Sequence, residues 1–138
     1  MIVRTRPASA WLLACFTLVA ATGSHAAMAT DLSGCWRGSW TSCSTGHDGP
    51  LEASFARCDE THYAVEFRGR FFRVIPFRYS VTLEVVEDRG DEVVLAGSSF
   101  LGRLFGTFTY RAEADGCAFH ATYHSKTDSG TFDLRRNL

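Results

Sequence analysis

Cys43 and His47 lie four residues apart in the polar stretch Cys43-Ser44-Thr45-Gly46-His47-Asp48-Gly49-Pro50. A thiol and an imidazole in reach of a carboxylate are the ingredients of a base-activated cysteine nucleophile or of part of a metal site. Asp128, in the segment Ser125–Gly130, is the carboxylate that the fold would bring beside them if the last strand lies along the first. The spacing fits no specific catalytic or zinc motif. The competing reading makes His47 and Asp48 turn residues whose side chains satisfy loop backbone groups, so the balance is against an enzyme. His120 and His124 share one face of a strand but stand about 13 Å apart there, too far to hold one metal directly. No cofactor is implied.

A second group is cationic: Arg68, Arg70, Arg73 and Arg78 surround one hairpin, with Phe71, Phe72 and Phe77 between them. Arg70 and Arg78 fall nearly opposite on the outer face, an unfavourable pair unless a negative charge intervenes. Glu52 on the neighbouring strand is placed to pair with Arg70, and an anionic ligand is the alternative.

The elements that must position these groups read as strands. From Trp36 onward the period is two, the strand signal. Trp36 and Trp40 share a face with Gly38. Tyr63, Val65, Phe67 and Phe71 alternate with charged residues, as do Phe77, Tyr79, Val81, Leu83 and Val85. Leu104, Gly106, Phe108 and Tyr110 form a further inward set, followed by Phe119, Ala121 and Tyr123 and then by Phe132 and Leu134. Glu92–Ala96 has no clean parity. No helical apolar stripe follows the first segment.

Short links between eight such segments predict an all-β, eight-stranded antiparallel up-and-down barrel over residues 30–138; a two-sheet β-sandwich is the alternative. Links alternate between ends. One end collects Asp59, Glu60, Glu87, Asp88, Asp91, Glu92, Glu113 and Asp115 and reads as a solvated base. The other collects the Cys43–Pro50 loop, Arg73-Val74-Ile75-Pro76, Ser98–Arg103 and Ser125–Gly130, and reads as a mouth.

Arg4 and Arg6 followed by the apolar run Ala10–Ala21 and a small-x-small site make residues 1–29 a secretory signal, cleaved after residue 26 or 29. The run is too short for a spanning helix, so no integral membrane segment is expected after its removal. The expected compartment is periplasmic or extracellular. Without Arg4 and Arg6, 12 of the 14 basic residues remain against 15 acidic ones, a net charge of −3 that argues against nucleic-acid binding.

Four cysteines remain after the signal, and export favours disulfides. A first hairpin turning midway between Ser44 and Gly49 sets Cys35 opposite Cys58 on the outer face at the base, with Cys117 a competing partner. Cys43, about 26 Å from Cys35 along an extended strand, stays unpaired.

Gly34-Cys35-Trp36 at the start of the first strand resembles the G-x-W signature of the calycin group, the lipocalins and avidins. Leu32-Ser33-Gly34-x-Trp36 is also similar to the opening of the barrel in small periplasmic metalloprotease inhibitors. The lipocalin resemblance implies an arginine, Arg135 or Arg136, packed across Trp36. Lipocalin T-D-Y, the later biotin-stacking tryptophans of avidins and the inhibitors' N-terminal arm have no counterpart here.

The expected function is binding through the mouth, with Val74, Ile75, Phe100, Leu101, Arg73 and Arg103 as the binding residues. A small hydrophobic ligand inside the barrel is one version, and its difficulty is volume, since thirteen inward aromatics could fill eight strands. A protein partner or an enzyme-inhibitor role carried by the rim is the alternative. A thiol-dependent enzyme or metal site at Cys43 and His47 comes third.

Overall fold

The computed structural model describes residues 30–138, so the leader assigned to residues 1–29 lies outside the described residues. The strands are β1 (Gly34–Ser42), β2 (Asp48–Arg57), β3 (His62–Phe71), β4 (Ile75–Asp88), β5 (Val93–Phe100), β6 (Thr107–Ala114), β7 (Ala118–His124) and β8 (Ser129–Arg136). Each pairs antiparallel with the next, and β8 returns to β1 with Trp40 opposite Phe132 and Trp36 opposite Arg136, closing an up-and-down barrel. Closure leaves no strand edge open to another chain. No described helix is long and apolar enough to cross a membrane.

The seam explains one glycine. A Cβ on Gly38 would collide with the Asp133 carbonyl, so only glycine lets β1 coil tightly enough onto β8. A bulge at Val86 shifts the register between β4 and β5, and Val93, Val94 and Leu95 are all buried beside it. That bulge is why the sequence of β5 carries no alternation.

The base is plugged by the chain's own approach to β1. Leu32 is fully buried beneath the barrel, its carbonyl accepting the Trp36 indole N–H at 2.9 Å. Arg136 lies across the Trp36 ring at 4.8 Å and donates to the Ser33, Asp31 and Gly116 carbonyls. This is the stacked arginine that the resemblance implied. Above the plug, Trp36, Phe55, Tyr63 and Phe119 pack edge to face, with Phe55 and Phe119 centroids 5.2 Å apart. Outside, Arg89 joins Glu87 and Glu92 at 2.9 and 2.7 Å, an exposed cluster worth little to stability.

Four expectations need correction. Leu104 does not begin a strand: Gly102–Phe105 is a single helical turn, α1, between glycines with φ of 87° and 71°, and Leu104 stands in solvent. The first hairpin turns earlier than expected, because Gly46 takes φ 73° and the turn closes on Ser42, so Cys35 faces Ser54. Cys58 then sits four residues further along, about 13 Å, beyond the roughly 7 Å Cα span of a disulfide. Cys117 is no partner either, since the β8 segment runs between it and Cys35, bonded to both carbonyls. Cys35, Cys43, Cys58 and Cys117 are all free and exposed.

The fourth correction concerns charge pairing. It is Arg68 that faces Arg78, and Glu66 lies between them, held low in pKa by Arg78 and then Arg68. Glu52 pairs with Arg37 at 3.3 Å instead of Arg70.

Candidate functional site

The mouth half of the barrel is hollow. A cavity of about 490 Å³ opens there, walled by Trp40 of β1, Phe71 of β3, Phe77 and Tyr79 of β4, Phe108 of β6 and Tyr123 of β7. Phe132 of β8 also lines it and packs on Phe67 and Tyr110, the three rings lying 5.1 to 6.5 Å apart. Its size falls within the usual range of small-molecule sites, about 300–1,000 Å³.

The hollow comes from cross-strand register. Three wall aromatics each face a glycine on the neighbouring strand: Trp40 opposite Gly49, Phe77 opposite Gly69, Tyr123 opposite Gly130. A Cβ on any of these glycines would strike the partner ring. The rings therefore fold flat over bare backbone, against the wall, and leave the axis open. At the base Trp36 faces Ala53 and Phe119 faces Leu134, so side chains meet and the space fills.

The cavity's polar lining comes from Thr45, Arg78, Tyr79, Tyr123, Thr127 and Asp128, and Ser42 supports it from behind. Ser42, buried, donates to Asp128 Oδ1 at 2.6 Å and receives the Thr45 N–H and hydroxyl. The Ser129 N–H bonds the same carboxylate oxygen at 2.8 Å, and the Tyr123 hydroxyl donates to Oδ2 at 3.1 Å. Asp128 thus braces the β1–β2 loop against the β7–β8 loop at the cavity's edge. Burial, then the Asp128 charge, pushes the Tyr123 phenol well above its ordinary range. Burial does the same to Tyr79 and Tyr110, so all three phenols stay neutral in ordinary buffers.

Among the described residues, one buried side-chain polar atom has no partner. The Trp40 indole N–H is buried and makes no hydrogen bond. Leaving such a donor unmade costs about 1–3 kcal/mol, and Trp40 lines the cavity.

The sequence-derived candidates divide. Leu101 lines the cavity with Phe105. Val74, Ile75 and Phe100 stand in solvent on the rim and do not fold over it as a lid, and Arg73 and Arg103 are exposed beside them. The thiol constellation is not assembled. Cys43 is exposed with no hydrogen bond to His47, whose ring packs on Phe72 at 4.8 Å, while Asp128 is occupied by Ser42, Tyr123 and Ser129. No cluster of three or more His, Cys, Asp or Glu side chains suited to a metal exists among the described residues. His120 is paired with Asp133.

Sequence reasoning turned the wall aromatics inward and left open whether they fill the barrel, and it missed Ser42, Thr45 and Phe105. The available signal was the glycine at inward positions 49, 69 and 130. No family model, curated protein or solved structure matches the chain.

Proposed function

We propose that this chain is an exported, calycin-type binding protein that holds one small, mostly apolar molecule in the mouth cavity. The carrying observation is the aromatic-walled hollow of about 490 Å³, built by three glycine–aromatic pairs where the same barrel is solid at its base. Such a hollow gives up packing that larger side chains would supply, at a cost that rises with cavity volume. A ligand restores those contacts. The barrel closure and the Arg136–Trp36 stack support the calycin reading, and the leader supports a periplasmic or extracellular setting.

The lining adds a chemical preference. An uncharged, mostly apolar body suits the aromatic wall, which would solvate a charge poorly.

Native mass spectrometry of protein purified from its own host tests the proposal, together with titration by N-phenyl-1-naphthylamine. A retained small mass, or saturable probe fluorescence excited through Trp40, is the expected result. A bare polypeptide that also leaves the probe dark would remove the reading.

A further inference from the structure

The large apolar side chains that the described chain leaves in water are not scattered. All but Val86 and Leu138 stand on the mouth rim: Phe72, Val74 and Ile75 from the β3–β4 turn, Phe100, Leu104 and Phe105 from the β5–β6 link. Leu104 is 81% exposed and Val74 75%. A patch of this kind on one end of a small barrel marks an interaction surface.

Charge says which kind. Arg70, Arg73, Arg103 and Lys126 are exposed at this end and join no salt bridge among the described residues, and they outnumber Asp48 and Asp128. The opposite end carries the acidic turns around Asp59, Glu87, Glu92 and Asp115. The barrel is therefore polarised along its axis, with apolar tips and unpaired cations together at the mouth.

The β3–β4 turn carries an independent mark. Its central residues, Phe72 and Arg73, are the only described non-glycine residues with positive φ, at 49° and 64°. A tight turn of that shape ordinarily takes Asn-Gly. Here a bulky ring, 63% exposed although His47 packs on it, and an exposed guanidinium hold the strained conformation.

We propose that the mouth rim docks on an anionic lipid bilayer. Phe72, Val74, Phe100 and Leu104 enter the boundary between headgroups and acyl chains, Arg70, Arg73 and Arg103 meet the lipid phosphates, and the acidic base points away. Apolar tips and cations on one surface are the two signals that reversible membrane binding needs. Docking places the open cavity against the lipid, but it does not depend on the cavity being occupied.

Co-sedimentation of the barrel, residues 30–138, with vesicles of phosphatidylcholine alone or mixed three to one with phosphatidylglycerol tests this. Binding should favour the anionic vesicles and weaken with salt. Phe72→Asn with Arg73→Gly relaxes the turn, so it should raise the melting temperature while lowering vesicle binding roughly fiftyfold, about tenfold for the tip and fivefold for the charge. Arg103→Gln should cost about fivefold on anionic vesicles only. Leu104→Ser, at a well-exposed position, should cost roughly tenfold, whereas Val86→Ser, an apolar loss away from the mouth, should leave vesicle binding unchanged.

Absence of binding to either vesicle overturns the proposal. So does binding that ignores anionic lipid, or rim variants that bind as the parent does. Cross-linking of the tips to a protein without any vesicle binding would make the rim a protein interface instead.

Discussion

The two ends of this barrel share one hydrogen-bonded ladder and do opposite things with it. At the base, side chains meet across the ladder, as Trp36 meets Ala53 and Phe119 meets Leu134, a buried leucine plugs the opening, and an arginine stacks over Trp36. At the mouth, rings face glycines and the interior is open. The difference shows how one small barrel can hold both a packed core and a hollow: close packing fills one half, and the other half stays open.

If that division is right, equal truncations at the two ends should not cost the same. Phe119→Ala removes a buried ring packed on Trp36 and Phe55, so it should cost about 3–5 kcal/mol in a denaturant titration. Phe77→Ala, whose ring borders the cavity on one side, should cost about 1–2 kcal/mol. Equal losses would break the comparison.

The base plug sharpens it further. Arg136→Leu keeps much of the side-chain volume over Trp36 but removes the cation and its bonds to three carbonyls, two of them on the segment below β1. The expected loss is about 2 kcal/mol in the same titration, with affinity for N-phenyl-1-naphthylamine unchanged because the cavity lies at the other end. A variant that loses probe affinity as steeply as stability would show that the ends are coupled.

At the mouth the matching change acts on binding. Trp40→Phe keeps an aromatic wall and deletes the unpartnered donor. Because that N–H is sealed against Gly49, affinity for 2-acetylnaphthalene, which carries a carbonyl, and for 2-ethylnaphthalene should change alike, within about a factor of two of each other. A selective loss of the carbonyl probe would show that the ring turns its donor toward a ligand; if neither binds the parent protein, the cavity is no ligand site.

How much of this could be read from the chain depends on what each feature needs. Strand parity needs only neighbours in sequence, so the inward set from Trp36 to Leu134, the up-and-down order and the split into acidic base and apolar mouth were legible. The stacked arginine was legible once Trp36 was placed at the start of β1. Features set by register were not. A hairpin turning between Ser44 and Gly49 puts Trp40 against Ala53 and Cys35 against Cys58, whereas the Ser42-capped turn at Gly46 puts them against Gly49 and Ser54. That slip of four residues preserves every face and so leaves no trace in the alternation. It hides the glycine beneath the ring, and with it the cavity. Leu104 and Gly106 failed differently: they continue the parity of β6, but positive φ at Gly102 and Gly106 turns that stretch into α1.

The smallest expected effect is that of acid, and it too should divide the ends. Asp59 accepts the Thr61 and His62 backbone N–H groups, and these bonds with the His62 ring hold its carboxyl at about 2. Asp115 is lowered by the Cys117 and Ala118 N–H groups, and Asp31 by Ser33, so the depressed carboxyls of this kind cluster at the base. A carboxyl whose folded pKa lies below its unfolded value stabilises the fold above the unfolded pKa, and that contribution disappears as pH falls through the folded one. For Asp59 the window therefore runs from about pH 4 down to about pH 2. Hydrogen-exchange protection at Thr61 and His62, corrected for intrinsic rates, should fall across that window, and that at Cys117 and Ala118 should fall once acid protonates Asp115, while the mouth amide of Val74, bonded to the Phe71 carbonyl, keeps its own. Asp59→Asn should remove the step at Thr61 and His62 and leave the one at Cys117. Loss of protection at the mouth first would mean that the closed base is not what holds the barrel together in acid.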